Sequence, residues 1–375
     1  MRRTSQVQQW QRHLGLGLVG AFLTCVCSAS VPLPTATSTP PVAGLADCAA
    51  TVTSHGTGPA FVAIAERAPA AIAVILEPNG AERGRLELVS AVPELALDRA
   101  GNQLVVLCEN VQPPQLIAFD LSTLQEHWRV AFPDPLTTKA PGGLPTLAVA
   151  RDGTLVFALH TVALKADAGA PGGSRDWLSI HDANNGALVA QVELPDCGTG
   201  RVLTGADAAV YVVCRDGVRT VSTRTWQVVR WLPVSTLGPI GLVGDAELIG
   251  VTRELQALGW DLRTGLPLEN STWSNRAGPV VGYWGRLTFA PDGSKLWILT
   301  SAASATNELE ADTLTEIDLV ARRRIDTTVP EIRGVGLVGT RVVYFVQGRL
   351  RSTDGALDAR LVSGAVNHWT ILSGL

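Results

Sequence analysis

Apolar residues in this chain come in short runs broken by Asp, Gly, Asn and Pro. Leu95 to Leu107 holds two such runs around the turn Asp98-Arg-Ala-Gly-Asn102. Leu147–Leu159 turns at Arg151-Asp-Gly153, and Leu287–Leu299 turns at Pro291-Asp-Gly293. Weaker copies run over 202–213, 240–251 and 335–346. β-Branched and aromatic residues fill the runs and turn formers separate them, which predicts hairpins.

A second kind of hairpin follows each of the first. Leu116-Ile-Ala-Phe-Asp120 runs into His127-Trp-Arg-Val130, and Leu178-Ser-Ile-His-Asp182 runs into Leu188–Val192. Asp261 and Asp318 occupy the same place as Asp120 and Asp182, just before a turn. A carboxylate there accepts backbone N–H groups two or three residues on and fixes the turn. The four lie on different repeats, so a shared calcium or catalytic site is the poorer explanation.

Two hairpins per repeat make a four-stranded meander, and irregular spacing fits a propeller with variable loops. The expected fold is all-β: a seven-bladed β-propeller of four-stranded antiparallel blades. Six blades lie between 93 and 364. The seventh is split: 61–65, 71–76 and 85–91 supply three strands, and Asn367–Leu372 supplies the first. Closure of this kind leaves no open edge in the ring. No amphipathic helix pattern appears beyond the N-terminal leader.

Ala290-Pro-Asp-Gly-Ser-Lys-Leu-Trp297 resembles the "SPDG-K-L-YV" hairpin of the YVTN and WD40-like bacterial β-propeller family. Ile317-Asp-Leu319 and Ile180–Gly186 are similar to the "V-ID-TG" hairpin of the same family. The resemblance spans most of 60–375. It implies a repeat-built binding or scaffold protein, and no catalytic set from propeller enzymes carries over onto these residues.

Composition adds the compartment. The chain has 375 residues, 46% hydrophobic and 17% charged, with a net charge of −4. Acid and base are scattered, so nucleic acid is not an expected partner. Residues 1–30 have the order of a secretory signal peptide: Arg2, Arg3 and Arg12, an apolar run over 14–26, then small residues. The run is shorter than the roughly 20 residues a membrane-spanning helix needs. Cys25 and Cys27 follow it and raise a lipoprotein alternative, but Phe22 and Thr24 sit where a lipobox carries Leu. Residues 31–58 are expected to be a Pro/Thr-rich disordered tether, and 59–375 the propeller. The protein is then extracellular or on the bacterial cell surface, free or lipid-anchored, meeting membrane only through that anchor. A monomer is expected.

Four cysteines remain: Cys48, Cys108, Cys197 and Cys214. An even number in an exported chain suggests disulfides. Three pairings are possible, and free buried thiols are the alternative. Register favours Cys197–Cys214, which leaves Cys48–Cys108. No cysteine or histidine stands at metal-ligand spacing, so neither metal nor cofactor is expected.

Strands in a blade run A to D from the axis to the rim. The long connections 133–145, 161–176, 274–285 and 300–312 are all of B–C or D–A type, so they share one face. Long loops on a rigid scaffold carry binding. Tyr283, Trp284, Arg276, Arg175 and Asp176 are the expected contacts, with Tyr283 and Trp284 first because aromatic residues concentrate interface energy. The expected ligand is a protein, peptide or glycan. The alternative is a hydrolase, lyase or oxidoreductase with its site at the channel mouth, shown by side chains converging on the axis.

Overall fold

A computed structural model describes residues 49–373 except 55–59, 68–69, 89–93, 99–101, 109–110, 112, 133–135, 138–145, 164–173, 196, 199, 206–208, 235–239, 244–246, 252–256, 269–279, 291–293, 303–312, 330 and 362–367. The described chain is built of strands: β1 (Ala49–Ser54), β2 (Phe61–Arg67), β3 (Ala70–Leu76) and β4 (Glu82–Leu88) come first. Blade 2 holds β5 (Glu94–Leu97), β6 (Gln103–Cys108), β7 (Gln115–Asp120) and β8 (Glu126–Ala131). After β9 (Leu136–Thr137), blade 3 holds β10 (Leu147–Val149), β11 (Leu155–Ala163), β12 (Ser174–Asp182) and β13 (Leu188–Glu193). Blade 4 holds β14 (Arg201–Thr204), β15 (Ala209–Cys214), β16 (Gly217–Ser222) and β17 (Gln227–Leu232). Blade 5 holds β18 (Ile240–Val243), β19 (Glu247–Val251), β20 (Ala257–Asp261) and β21 (Leu266–Pro267). Blade 6 holds β22 (Val280–Phe289), β23 (Lys295–Ala302), β24 (Thr313–Asp318) and β25 (Arg323–Thr328). Blade 7 holds β26 (Ile332–Val338), β27 (Arg341–Val346), β28 (Arg349–Ser352) and β29 (Asp358–Arg360), and β30 (His368–Ser373) ends the chain.

Seven antiparallel sheets result, and β30 joins the first of them beside β2, in the order β1-β4-β3-β2-β30. Each innermost strand packs on the next, from β30 through β5, β10, β14, β18, β22 and β26 back to β30. The chain is therefore a seven-bladed β-propeller closed by its C-terminal strand.

The burial pattern explains the sequence pattern. B strands such as β6 and β15 are buried on both faces, because each blade is sandwiched between two others. They read as unbroken apolar runs, as doubly covered strands should. D strands at the rim lose this cover, and β17 and β25 are almost wholly exposed. Seven apolar clusters fill the seven seams. Blades 1 and 2 meet through Val62, Leu86, Leu104 and Ile117, and blades 7 and 1 through Phe61, Val74, Phe345 and Leu350.

The Asp turns form as expected. Asp120 Oδ1 accepts the N–H groups of Ser122 and Thr123 at 2.7 and 2.9 Å. Asp182, Asp261 and Asp318 repeat the bond to the residue two on. Ser222 takes the place in blade 4 through its hydroxyl.

Two strands depart from the sequence reading. β1 lies inside 31–58, the stretch whose composition suggests a tether, yet it pairs with β4 as a fifth, outermost strand. Its alternation of Thr and Val is short, and the Pro/Thr run ahead of it masks the pattern. β9 lies inside the 133–145 connection and pairs with Thr161 and Val162 of β11, continuing the line of β10.

Candidate functional site

The B–C and D–A face is the elaborated one. In blade 3 the β11–β12 ladder runs on to Ala163↔Ser174, and β9 widens it. In blade 6 the β22–β23 ladder runs on to Val280↔Ala302. The opposite face ends in the tight Asp-capped turns. Two blades thus stand proud on one side of the ring.

Tyr283 and Trp284 are not loop residues. Both lie within β22, the innermost strand of blade 6, where pairing jumps from Gly282↔Thr300 to Leu287↔Ile298. Residues 283–286 form a wide bulge there, of the kind that bends a strand and ends regular pairing. Arg276 lies outside the described residues.

Arg175 and Asp176 sit in β12, opposite Val162 and Thr161. Arg175 is exposed and pairs loosely with Glu193 at 3.5 Å. Asp176 is buried and fully engaged: Oδ1 accepts from the Thr161 hydroxyl at 2.5 Å, and Oδ2 accepts from Gly198 N at 2.7 Å. It ties the connection from β13 to β14 to β12. The Cys197–Cys214 disulfide ties the same connection to the end of β15, with Cα atoms 4.6 Å apart. Cys108 is disulfide-bonded too; its expected partner Cys48, like Cys25 and Cys27, lies outside the described residues.

These anchors lead into Arg201, the first residue of β14, at the elaborated-face end of the innermost strand of blade 4. A methyl group on the preceding Gly200 would press on Leu159, the Val213 carbonyl and Cys197 Sγ, so the chain enters β14 in close contact with its surroundings. Arg201 is half-buried. Its Nη1 donates to the Ile240 carbonyl at the start of β18, bridging two innermost strands. Its Nε is buried with no acceptor. Burial pushes its pKa down to about 10, and no carboxylate pairs with it among the described residues.

A second polar cluster is buried in the seam of blades 2 and 3. His160 and His181 flank Phe132, with ring centroids 5.2 and 5.9 Å away. His181 Nδ1 lies 3.0 Å from the Gly186 carbonyl and Nε2 3.2 Å from Ser179 Oγ. His160 Nδ1 has no partner. Burial first of all holds both histidines neutral, and pushes His160 down to about 4. The pair is packed into the seam, so its geometry is structural.

Neither Arg201 nor the histidine seam stood out in the sequence. Each is a single residue in a strand, and only the pairing register brings it to its neighbours. No group of three or more His, Cys, Asp or Glu suited to a metal ion occurs among the described residues.

No family model matches the chain, and no curated protein matches it. The YVTN and WD40-like resemblance stays at the level of its motifs. Among solved structures, the crystal structure of BamB from Moraxella catarrhalis is similar at 16% sequence identity and a TM-score of 0.45, covering 84% of this chain and 90% of that one. A score at that level transfers nothing, and the fold stands on the seven sheets themselves.

Proposed function

We propose that the protein is an exported binding propeller that recognises a protein, peptide or glycan through its B–C and D–A face. The observation that carries this reading is the one-sided elaboration: blades 3 and 6 extend their ladders on that face, while the other face ends in minimal turns. A rigid ring presenting raised, variable elements is how scaffolds carry binding surfaces. The disulfide supports export, because such bonds persist in oxidising compartments.

The test is capture from extracellular extract with the protein beginning at Val31, beside a variant whose 164–173 segment is replaced by a two-residue turn. Capture of a defined species by the first and its loss in the second, at unchanged thermal stability, is the expected result. Equal capture by both would remove the face from consideration. Turnover of a captured molecule at the channel mouth would favour the enzyme instead.

A further inference from the structure

Six large apolar side chains are exposed among the described residues, and three of them sit on one strand: Val228, Val229 and Trp231 of β17, 39, 59 and 54% exposed. β17 is the rim strand of blade 4 and, among the described residues, pairs with β16 alone. Val229 is the extra residue of a bulge, since Thr220↔Arg230 is followed by Val221↔Val228. Val228 and Trp231 therefore share a side of the sheet with their partners Val221 and Arg219. That side faces blade 3: Val221 belongs to the apolar seam with Leu178 and Val192, and Arg219 donates to the Pro195 carbonyl. Arg230 points the other way and donates to the Leu262 and Arg263 carbonyls of blade 5.

We propose that β17 is the docking edge for an extended, acidic segment of a partner protein, which adds to blade 4 as a fifth strand. The site lies at the rim, so it is separate from the B–C and D–A face and does not depend on it.

A rim strand directs alternate backbone N–H and C=O groups away from its one neighbour, and folded proteins protect such an edge with charge, brevity or a covering segment. The other rims here are protected. β21 has two residues, β25 and β29 are charged at half or more of their positions, and β1 covers β4. β8 and β13 expose no large apolar residue. β17 has six residues, of which four are apolar and one is charged. Blade 1 shows the occupied form of such an edge: β1 lies along β4 through five paired residues, and a register shift in that ladder does not prevent the pairing. The bulge in β17 is no greater obstacle. Charge then selects the partner. Residues 215–234 hold four arginines and one aspartate, in a chain of net charge −4. Asp216 pairs with Arg219. Arg215 is exposed in the turn beside the Leu232 end of β17, and Arg224 is exposed in the turn before Gln227. Neither of these, nor Arg230 between them, forms a salt bridge among the described residues. An incoming strand with alternating side chains would lay apolar residues over Val228 and Trp231 and carboxylates towards the arginines. A second copy would bring its own arginines to the same edge, and like charges oppose that pairing.

The experiment titrates the protein beginning at Val31 with synthetic peptides by calorimetry at low ionic strength, and follows amide hydrogen exchange. The probes are an alternating glutamate–valine peptide, its lysine–valine counterpart, and the glutamate–valine peptide with its central valines replaced by proline. Saturable binding of the first is expected, with slowed exchange over 227–232 and none over β25, the exposed rim of blade 6. The lysine and proline peptides should bind roughly tenfold more weakly, since one reverses the charge and the other removes strand donors. Trp231→Ser and Arg224→Glu should each weaken binding at an unchanged melting temperature, because both side chains are exposed. No saturable binding by the parent, undiminished binding in both variants, or equal binding of the lysine peptide overturns the proposal. Protection of β17 without peptide, with a dimer mass in light scattering, also overturns it and makes a second copy the occupant.

Discussion

The outer hairpin turns show at single-residue level where this chain is strained. In four of them the residue four after the Asp or Ser donates its N–H back to that residue's carbonyl: Leu124, Gly186, Trp226 and Gly265. Each has positive φ, and Arg322 takes the same place after Asp318 with φ 50°. Gly186 and Gly265 suit this conformation; Leu124, Trp226 and Arg322 do not, at about 1–2 kcal/mol each. Leu124 and Trp226 offset the strain by packing into the core. Arg322 is exposed and gains nothing comparable. Arg322→Gly should therefore raise stability by about 0.5–1 kcal/mol, after the greater freedom of Gly in the unfolded chain is subtracted. Urea unfolding measures this, and a lower midpoint would show that Arg322 is not strained. The Asp of each turn was legible in the sequence because it recurs. The strained residues were not, because nothing in Leu, Trp or Arg announces a left-handed conformation.

At the scale of elements, the hairpin alternation was legible throughout, since each strand pair carries its own apolar run and turn. The extra strands β1 and β9 were not: one follows a Pro/Thr stretch, and the other has two residues. The β11–β12 hairpin also conceals an acid-sensitive seam. His160 is buried against Phe132 and within the field of His181, which lowers its pKa, and of Asp176, which raises it. Its folded pKa of about 4 lies below the usual 6.5. Between those values the unfolded chain binds the proton and the folded chain does not. Stability from this group is thus complete above pH 6.5 and is lost as pH falls towards 4, by about 3 kcal/mol. The burial of His181 acts in the same direction. His160→Leu should flatten this limb, so that the parent loses more stability than the variant between pH 7 and pH 4.5 in chemical denaturation. Parallel losses would show that the seam opens to water and that His160 titrates normally.

In the whole molecule both ends of the described chain meet in blade 1, and they do different work there. β30 is the innermost strand, paired with β2 and packed on both β26 and β5. Removing it breaks the ring at the axis and uncovers the inner edge of β2, whose Phe61, Val62 and Ala63 are wholly buried. β1 is the outermost strand and, among the described residues, pairs with β4 alone. Without it, blade 1 has the same four strands as its neighbours. The closure was readable from the sequence because six complete repeats left one incomplete at each end; the outer strand was not, because a four-stranded blade does not require it. A chain ending at Gly364 should therefore fail to unfold cooperatively and should aggregate through its open edge. A chain beginning at Pro59 should remain monomeric with a single cooperative transition, provided Cys108→Ala accompanies the cut, because the cut discards Cys48, the expected partner of Cys108. Size-exclusion chromatography and calorimetry of the two truncations decide the matter. If the C-terminal truncation kept a cooperative transition, the ring would not depend on its seam, and the seven blades would have to hold each other as an open arc.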